Sequence, residues 1–273
     1  LSPRQRRHAT EDPALLALLS PAKTLDLSPS PKGLPVTRPA FKKDIAVLMR
    51  RCKTLEVAEL RRLMKLSEPL AELNHERFQT MSPRFTLANS KAALLSFRGD
   101  VYRKLDADSL SRPDLLWAQD HLRILSGFYG LLRPLDLMQP YRLEMGTRLT
   151  TERGSTLYSF WGSKLADKLN AEHKKRPVAA LLNLASKEYI KAVPVERLAM
   201  PMITAQFQEW RDGKLKTIAF SAKKARGLMA RFVVENRIEQ PTQLKRFTVE
   251  GYSFQPELSS ATQMLFARRR PAA

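Results

Sequence analysis

Soft metal ligands and long apolar runs are both scarce in this sequence of 273 residues. Its single cysteine, Cys52, cannot form a disulfide within the chain, which is typical of a reducing compartment such as the cytoplasm. The four histidines are scattered without a second ligand at metal-binding spacing, so we predict no metal site and no cofactor. No apolar run approaches the roughly 20 residues that a membrane-spanning helix needs, so no membrane partner is expected.

Motifs of the common enzyme classes are also absent. The sequence holds no Walker loop, no dinucleotide-binding fingerprint and no nucleophile elbow. We therefore assign no catalytic residue, and a protein without enzymatic activity is the better interpretation. Four carboxylates inside the sequence blocks described below leave acid–base chemistry open: Asp100, Asp136, Glu144 and Glu188.

Negative charge is in short supply. The chain carries 47 Lys and Arg against 27 Asp and Glu, a formal net charge of +20 at pH 7. Such an excess repels itself in the folded state, so it indicates a polyanionic partner: nucleic acid, an acidic membrane surface or an acidic protein. The alternative is a protein that is merely basic, and charge by itself does not decide between the two.

The order of the periodic segments predicts one compact domain of mixed α/β class. Ala14–Leu19 is a short apolar run that ends at Ser20-Pro21 and predicts a buried strand, and a second strand is predicted over 178–184. Prolines make 28–39 an extended loop. Helical periodicity predicts helices over 41–49, 55–64, 68–78, 87–97 and 114–125.

A β-hairpin followed by a helix is the clearest local pattern of the C-terminal part. Residues 202–210 alternate, Asp212-Gly213 supplies the turn, and 215–220 return. A helix over about 222–237 follows. We place the domain at 14–267, with a basic tail over 268–273. Residues 1–13 contain three arginines and form either a disordered basic arm or the remnant of an organelle-targeting peptide.

Six sequence blocks, in a fixed order, are distributed over most of the chain from about Leu15 onward. They are LLSPAKTLD (18–26), FRGDVY (97–102), LSGFYG with RPLDL and PYRLEMG (125–146), FWG (160–162), NLAS with EY (183–189), and AKKARGLM (222–229). Together they resemble the YaaA family of bacterial peroxide-stress proteins. This resemblance is specific because it rests on all six blocks rather than on one.

The resemblance implies a mixed α/β fold peculiar to the family, a helix-hairpin-helix element, and a basic cleft that binds double-stranded or branched DNA. It also implies a role in limiting free iron and oxidative damage under hydrogen peroxide stress. The chain departs from typical members in its basic N-terminal extension, its higher net charge and its proline-rich insertion after Asp26. These departures bear on the cellular role and the compartment, not on the fold.

The candidate nucleic-acid-binding residues come from these blocks and their chemistry. They are Ser20, Lys23, Thr24, Gly127, Gly130, Arg133, Arg142, Asn183, Lys187, Tyr189, Lys223, Lys224, Arg226, Gly227 and Arg231. The cations and hydroxyls suit phosphate oxygens, and glycines let a backbone N–H approach a phosphate closely. Asn183, Lys187 and Tyr189 follow a predicted strand and are expected to face the same cleft as Lys23.

Each assignment has a structural alternative. Ser20 and Thr24 suit a capped turn, and the Gly127/Gly130 pair suits a helix stop, since its spacing is one residue longer than in usual helix-hairpin-helix turns. Arg133 and Arg142 suit ion pairs with Asp136 and Glu144. Gly227 costs about 1 kcal/mol inside a helix, so either a phosphate or another chain segment is expected against it.

The leading hypothesis is a DNA-binding protein with affinity from phosphate contacts and little sequence readout. An enzyme acting on a nucleotide or nucleic acid in the same cleft is the second hypothesis, and direct iron binding is the third. The oligomeric state is left open.

Overall fold

A computed structural model describes residues 14–31 and 33–269. The arm predicted over 1–13 and residues 270–273 of the predicted tail lie outside the described residues. The strands in the described part are β1 (Ala14–Leu19), β2 (Thr24–Leu25), β3 (Lys91–Ala92), β4 (Phe97–Arg98), β5 (Leu122–Ser126), β6 (Gly130–Leu132), β7 (Leu137–Met138), β8 (Val178–Asn183), β9 (Met202–Arg211), β10 (Lys214–Lys216), β11 (Ser253–Phe254) and β12 (Gln263–Arg269).

Helices alternate with these strands along most of the chain. Those in the described residues are α1 (Lys42–Lys53), α2 (Val57–Met64), α3 (Glu68–Thr80), α4 (Ala93–Ser96), α5 (Asp100–Leu105), α6 (Arg112–His121), α7 (Leu157–Trp161), α8 (Lys164–Lys175), α9 (Lys187–Ile190) and α10 (Ala219–Glu235). Short 3₁₀ turns connect several of them.

One sheet organises the domain, with the strand order β11-β12-β9-β8-β1-β5-β6 and with β10 paired to β9. The central strands β12, β9, β8, β1 and β5 are parallel, and the antiparallel strands β6, β10 and β11 lie at its margins. All six residues of β1 are buried, as expected for a strand covered on both faces. The predicted single domain of mixed α/β class is confirmed. Its parallel centre brings the carboxyl ends of β1 and β8 to one edge of the sheet.

Several local predictions are confirmed. The strand at Ala14–Leu19 is β1, and 178–184 is β8 with one residue fewer. Met202–Arg211 and Lys214–Lys216 form the predicted hairpin, with left-handed backbone at Asp212 (φ 52°) and Gly213 (φ 70°). Positive φ at both central residues is typical of a type I′ turn, whose twist matches that of the two strands it connects. The returning strand ends at Lys216 rather than at 220, because the helix predicted over 222–237 is α10 and already begins at Ala219.

Two predicted helices are wrong. Residues 87–97 contain β3, a single turn of helix (α4) and the start of β4, because β3 pairs with β7 and β4 with β2. The helix predicted over 114–125 begins at the Ser111 cap, whose Oγ accepts from the Asp114 N–H at 3.3 Å, but it ends at His121. Residues 122–125 belong to β5, in which every residue is buried. An apolar run buried on all sides has no period that separates helix from strand.

The chain after α10 also differs from the prediction. It returns to the sheet and inserts β12 parallel to β9, and Arg268 and Arg269, which the sequence assigns to a tail, are the last residues of this strand. Arg268 lies there because its guanidinium binds the carboxylate of Glu209 on β9, with Nη2 to Oε1 at 2.8 Å.

Glu209 is a buried carboxylate that holds two strands together. Its side chain is 1% exposed and accepts hydrogen bonds from Arg211 on one oxygen and from Arg268 on the other. Burial by itself would raise the pKa of Glu209, but hydrogen bonds from Ser221, Arg211 and Arg268 more than offset this and lower it to about 2.

Glu209→Gln is expected to lower the free energy of unfolding by about 3 kcal/mol at neutral pH, because two guanidinium groups lose their buried counter-charge. Urea denaturation measures this loss, with the exposed Glu257→Gln as control. Since the pKa of Glu209 is lowered from an ordinary 4.5 to about 2, its stabilisation is present above pH 4.5 and is lost as pH falls toward 2. The difference in the free energy of unfolding between wild type and Glu209→Gln should therefore shrink as the pH falls from 4.5 toward 2. Equal stability of the two variants at pH 7 would contradict the assignment.

Candidate nucleic-acid interface

A cleft of about 500 Å³ opens at the carboxyl ends of β1 and β8. Its walls come from the segments that follow these strands, from the start of α5, from 141–144 and from α10. We call it the basic cleft, and its lining residues are Ser20, Pro21, Ala22, Lys23, Thr24, Arg98, Gly99, Asp100, Val101, Tyr102, Arg103, Tyr141, Arg142, Leu143, Glu144, Leu184, Ser186, Glu188, Tyr189, Lys223 and Arg226. Loops at this edge of a parallel sheet are the usual place for binding sites.

Hydrogen bonds between the two strand-end loops hold the floor of the basic cleft. The Ser20 hydroxyl accepts from the backbone N–H of Ser186 at 2.8 Å and donates to the Ser186 hydroxyl at 3.3 Å. The Tyr102 hydroxyl donates to the carbonyl of Ser20 at 2.7 Å, and burial raises its pKa far above the usual value. The Ser20 hydroxyl thus joins β1 to β8, in place of the local turn that was the structural alternative for this residue.

Six cationic and three acidic side chains line the basic cleft. Four of the cations have acidic partners. Lys23 and Arg142 share Glu144, at 3.0 and 3.5 Å, while Arg103 binds Asp100 at 2.8 Å. The fourth, Arg98, binds acidic residues outside the lining. The charge of these cations is therefore partly neutralised before any ligand arrives.

Lys223 and Arg226 differ from the other four cations. They are three residues apart on α10, so they project from the same side of the helix. Neither forms an ion pair or hydrogen bond with a side chain or backbone group in 14–31 or 33–269. Arg226 is also half-buried, and this burial lowers the pKa of its guanidinium. Arg142, across the cleft, has a buried Nε without a hydrogen-bond acceptor among the described residues. Guanidinium nitrogens left unsatisfied at one site favour an anionic ligand.

The structure brings together seven of the predicted site residues in this cleft: Ser20, Lys23, Thr24, Arg142, Tyr189, Lys223 and Arg226. Tyr189 is 8% exposed, and burial raises the pKa of its hydroxyl. Whether these residues bind nucleic acid stays a prediction.

The predicted helix-hairpin-helix turn is wrong at the position given by the sequence. Gly127 and Gly130 lie in the connection between the antiparallel strands β5 and β6, where Ser126 pairs with Gly130, so this segment is a β-hairpin. A Cβ on Gly130 would lie 2.7 Å from the indole ring of Trp161, and a Cβ on Gly127 would lie 2.4 Å from the carbonyl oxygen of Leu143. Both glycines therefore serve close packing inside the domain.

Three further candidates are engaged with the protein itself, outside the cleft lining. Arg133 pairs with the buried carboxylate of Asp136 at 3.1 Å. Arg231 donates to the carbonyl oxygens of Leu105 and Asp106, both at 3.0 Å. Asn183 is 5% exposed, and its side chain accepts from the backbone N–H of Ala185 at the end of β8. The ion-pair alternative for Arg133 is the one that the structure shows.

The last three candidates lie beside the basic cleft. Lys187 is exposed at the start of α9, and the Lys224 Nζ lies 4.1 Å from the ring centroid of Phe220. Gly227 is buried where α10 crosses α5: an added Cβ would lie 2.0 Å from the carbonyl oxygen of Val101. Another chain segment, rather than a phosphate, is thus what approaches this glycine.

Arg98 and Arg103 line the basic cleft but were not among the predicted residues. The signal in the sequence is the block FRGDVY, which contains Arg98 and is followed directly by Arg103. Hydrogen bonds from Ser28 hold the pKa of Asp26 well below its usual range, so the Arg98 guanidinium has a permanent counter-charge. In the described residues, no cluster of three or more His, Cys, Asp or Glu is placed to hold a metal ion, and no helix is long and apolar enough to span a bilayer.

A match to a protein-family model identifies the family of the chain. The model described as Peroxide stress protein YaaA matches residues 15–258. The chain belongs to this family. The match begins in β1 and ends at the last residue of the 3₁₀ turn before β12, so it includes every wall of the basic cleft.

Full-length relatives share about half of their residues with this chain. A UPF0246 protein of Caulobacter vibrioides (strain NA1000 / CB15N) is 48% identical over 257 residues, which cover 94% of this chain and 100% of the relative. A UPF0246 protein of Burkholderia cenocepacia (strain HI2424) is 50% identical over 257 residues, covering 93% and 99%.

Proposed function

We propose that this YaaA family member is a DNA-binding protein of the peroxide-stress response, and that its basic cleft binds the phosphate backbone. The observation that carries the proposal is Arg226, a half-buried guanidinium that faces the cleft without an acceptor in the described residues. Lys223 adds a second free cation one turn away. Two such groups on one helix suit adjacent phosphate oxygens.

The whole-molecule charge supports the same proposal. With a net charge of +20, the protein attracts polyanions over a distance set by the ionic strength. Contacts to phosphate carry no sequence information, so we expect double-stranded or branched DNA to bind with low sequence specificity. In the cell, this cytoplasmic DNA binding would belong to a response that limits free iron and oxidative damage.

A salt titration tests the proposal. Duplex and four-way-junction DNA of mixed sequence are titrated with the full chain by gel shift or fluorescence anisotropy at several salt concentrations. We expect the logarithm of the binding constant to fall linearly with the logarithm of the salt concentration, by about 0.9 per neutralised phosphate. Absent or salt-insensitive binding would refute the proposal.

An enzyme acting on a nucleotide is the second candidate, and the size of the basic cleft favours it. A volume of about 500 Å³ is that of a small-ligand pocket. Asp100 and Glu188 line the same cleft as Lys223 and Arg226, so carboxylates for acid–base chemistry on a phosphate-bearing substrate are present. Incubation with a panel of nucleotides, followed by mass detection, decides: turnover that is lost in Glu188→Gln, together with absent duplex binding, would replace the first proposal.

A further inference from the structure

A second concave site lies on α1 and shares no residue with the basic cleft. It is a groove of about 310 Å³ between one face of α1 and the segment 83–86. The α1 face consists of Lys42, Ile45, Ala46 and Met49, whose spacing places them on one side of a helix. We call this site the α1 groove.

The floor of the α1 groove is apolar and is part of the core. Ile45 and Met49 are 2% and 7% exposed, and Pro39 is buried beside them. Phe85 forms the facing wall and packs its ring edge-on against Tyr129, with 6.1 Å between the centroids. The floor therefore offers apolar contact, which a phosphodiester backbone does not use.

The wall opposite α1 is held in place by two amide side chains. Gln139 accepts from the backbone N–H of Ser82 at 2.9 Å and donates to its carbonyl at 2.6 Å. Asn89 accepts from the N–H of Thr86 at 2.9 Å and donates to the carbonyl of Arg84 at 2.8 Å. Because both ends of the segment are fixed in this way, the groove is preformed. Ligand binding therefore costs little conformational entropy.

The rim of the α1 groove is cationic and unpaired. Arg38, Lys42 and Arg84 are exposed, and none of their charged groups has an acidic partner within the described part of the chain. No carboxylate lines the groove. Asp44, the acidic residue in the first turn of α1, is buried outside the groove lining and pairs with Arg153 and Lys164.

The start of α1 adds to this positive potential. No side chain caps the helix at Phe41, so the first-turn N–H groups keep their partial positive charge at the end of the helix that carries Lys42. Three cations and a helix N-terminus around an apolar floor are complementary to an anion that has an apolar body.

We propose that the α1 groove binds an organic monoanion with an apolar tail, of the class of medium-chain carboxylates. The tail packs on Ala46, Met49 and Phe85, and the carboxylate lies at the rim near Lys42. The rim cations offset the free-energy cost of desolvating the carboxylate. The tail contributes an affinity that grows with the apolar area it buries.

Calorimetric titration of the full chain with octanoate tests this inference, with hexanoate and octyltrimethylammonium as companion probes. Octanoate is expected to bind about tenfold more tightly than hexanoate, since each buried methylene contributes about 0.8 kcal/mol. The cation of similar length is expected not to bind. Absent octanoate binding, or equal affinity for octanoate and octyltrimethylammonium, would overturn the proposal.

Two neighbouring lysines provide a matched pair of variants. Lys42→Glu reverses a rim charge and is expected to weaken octanoate binding at least tenfold. Lys43→Glu, an exposed residue outside the groove lining, makes the same charge change and is expected to leave binding within twofold. Thermal unfolding of both variants confirms that each is folded. Equal effects of the two variants would overturn the proposal.

Two further outcomes would assign the groove to another occupant. Self-association that Lys42→Glu abolishes would assign it to a second copy of the chain. Displacement of octanoate by duplex DNA would assign it to the nucleic-acid interface. Either result overturns the carboxylate proposal, and neither depends on whether the basic cleft binds DNA.

Discussion

The double variant K223A/R226A is expected to bind duplex DNA about 100-fold more weakly than the wild type. Each side chain removed is a free cation on the same side of α10, and a hydrogen bond to a charged group contributes about 1.5 kcal/mol or more. No carboxylate partner in the described residues is released by the change, so the loss measures the ligand contact rather than a broken internal ion pair.

The salt dependence separates a direct contact from a general charge effect. Losing two phosphate contacts should reduce the slope of the log–log plot by about 1.8. The control is K174A/K175A, which removes the same charge from exposed residues of α8 that do not line the basic cleft. Its slope should stay that of the wild type. If both double variants weaken binding equally, the basic cleft is not the interface.

Gly227→Ala is expected to destabilise the fold by about 3 kcal/mol. In an open helix this substitution would stabilise by about 1 kcal/mol, because alanine restricts the unfolded chain and favours the helix. Here the sign reverses, since the added Cβ would lie 2.0 Å from the Val101 carbonyl oxygen and 2.9 Å from the Lys104 Cβ. The first of these neighbours is backbone, so relief requires α5 and α10 to move apart.

Urea denaturation of Gly227→Ala and Gly213→Ala measures the effect. Gly213 lies in the β9–β10 turn with φ +70° and has open space around its Cα, so its substitution costs only the backbone strain of about 1 kcal/mol. A loss for Gly227→Ala no larger than for Gly213→Ala would show that the two helices are not in close contact.

Gly227 also matters for the basic cleft because α5 and α10 each supply a wall. Arg226 is the residue before the glycine, and Arg103 lies on the facing helix. Close packing of the two helices therefore sets the separation of these guanidinium groups. A variant that separates the helices should widen the cleft as well as destabilise the domain.

The candidate site was predictable only in part, and the arginines show why. Arg133 and Arg142 look alike in the sequence, since each precedes a carboxylate by two or three residues within an apolar, proline-containing segment. Arg133 pairs with Asp136 outside the cleft lining, whereas Arg142 lies in the cleft and shares Glu144 with Lys23. The two arginines differ because Lys23, which lies 119 residues earlier in the chain (142 − 23), shares the carboxylate of Arg142. Local sequence patterns carry no information over that distance.

The sequence by itself determined the features that depend on neighbouring residues or on composition. The buried run of β1, the Asp212-Gly213 turn, the amphipathic α10 and the excess of positive charge are of this kind, and six ordered blocks were enough to indicate the family. Tertiary structure alone decided that 122–126 is a strand, that Gly127 and Gly130 form a β-hairpin, and which cations remain unpaired. The physical reason is that strand pairing and ion pairing join residues that are distant in the chain. The free energy of such a contact depends on the residue on the other side of the contact, not on the neighbours in sequence.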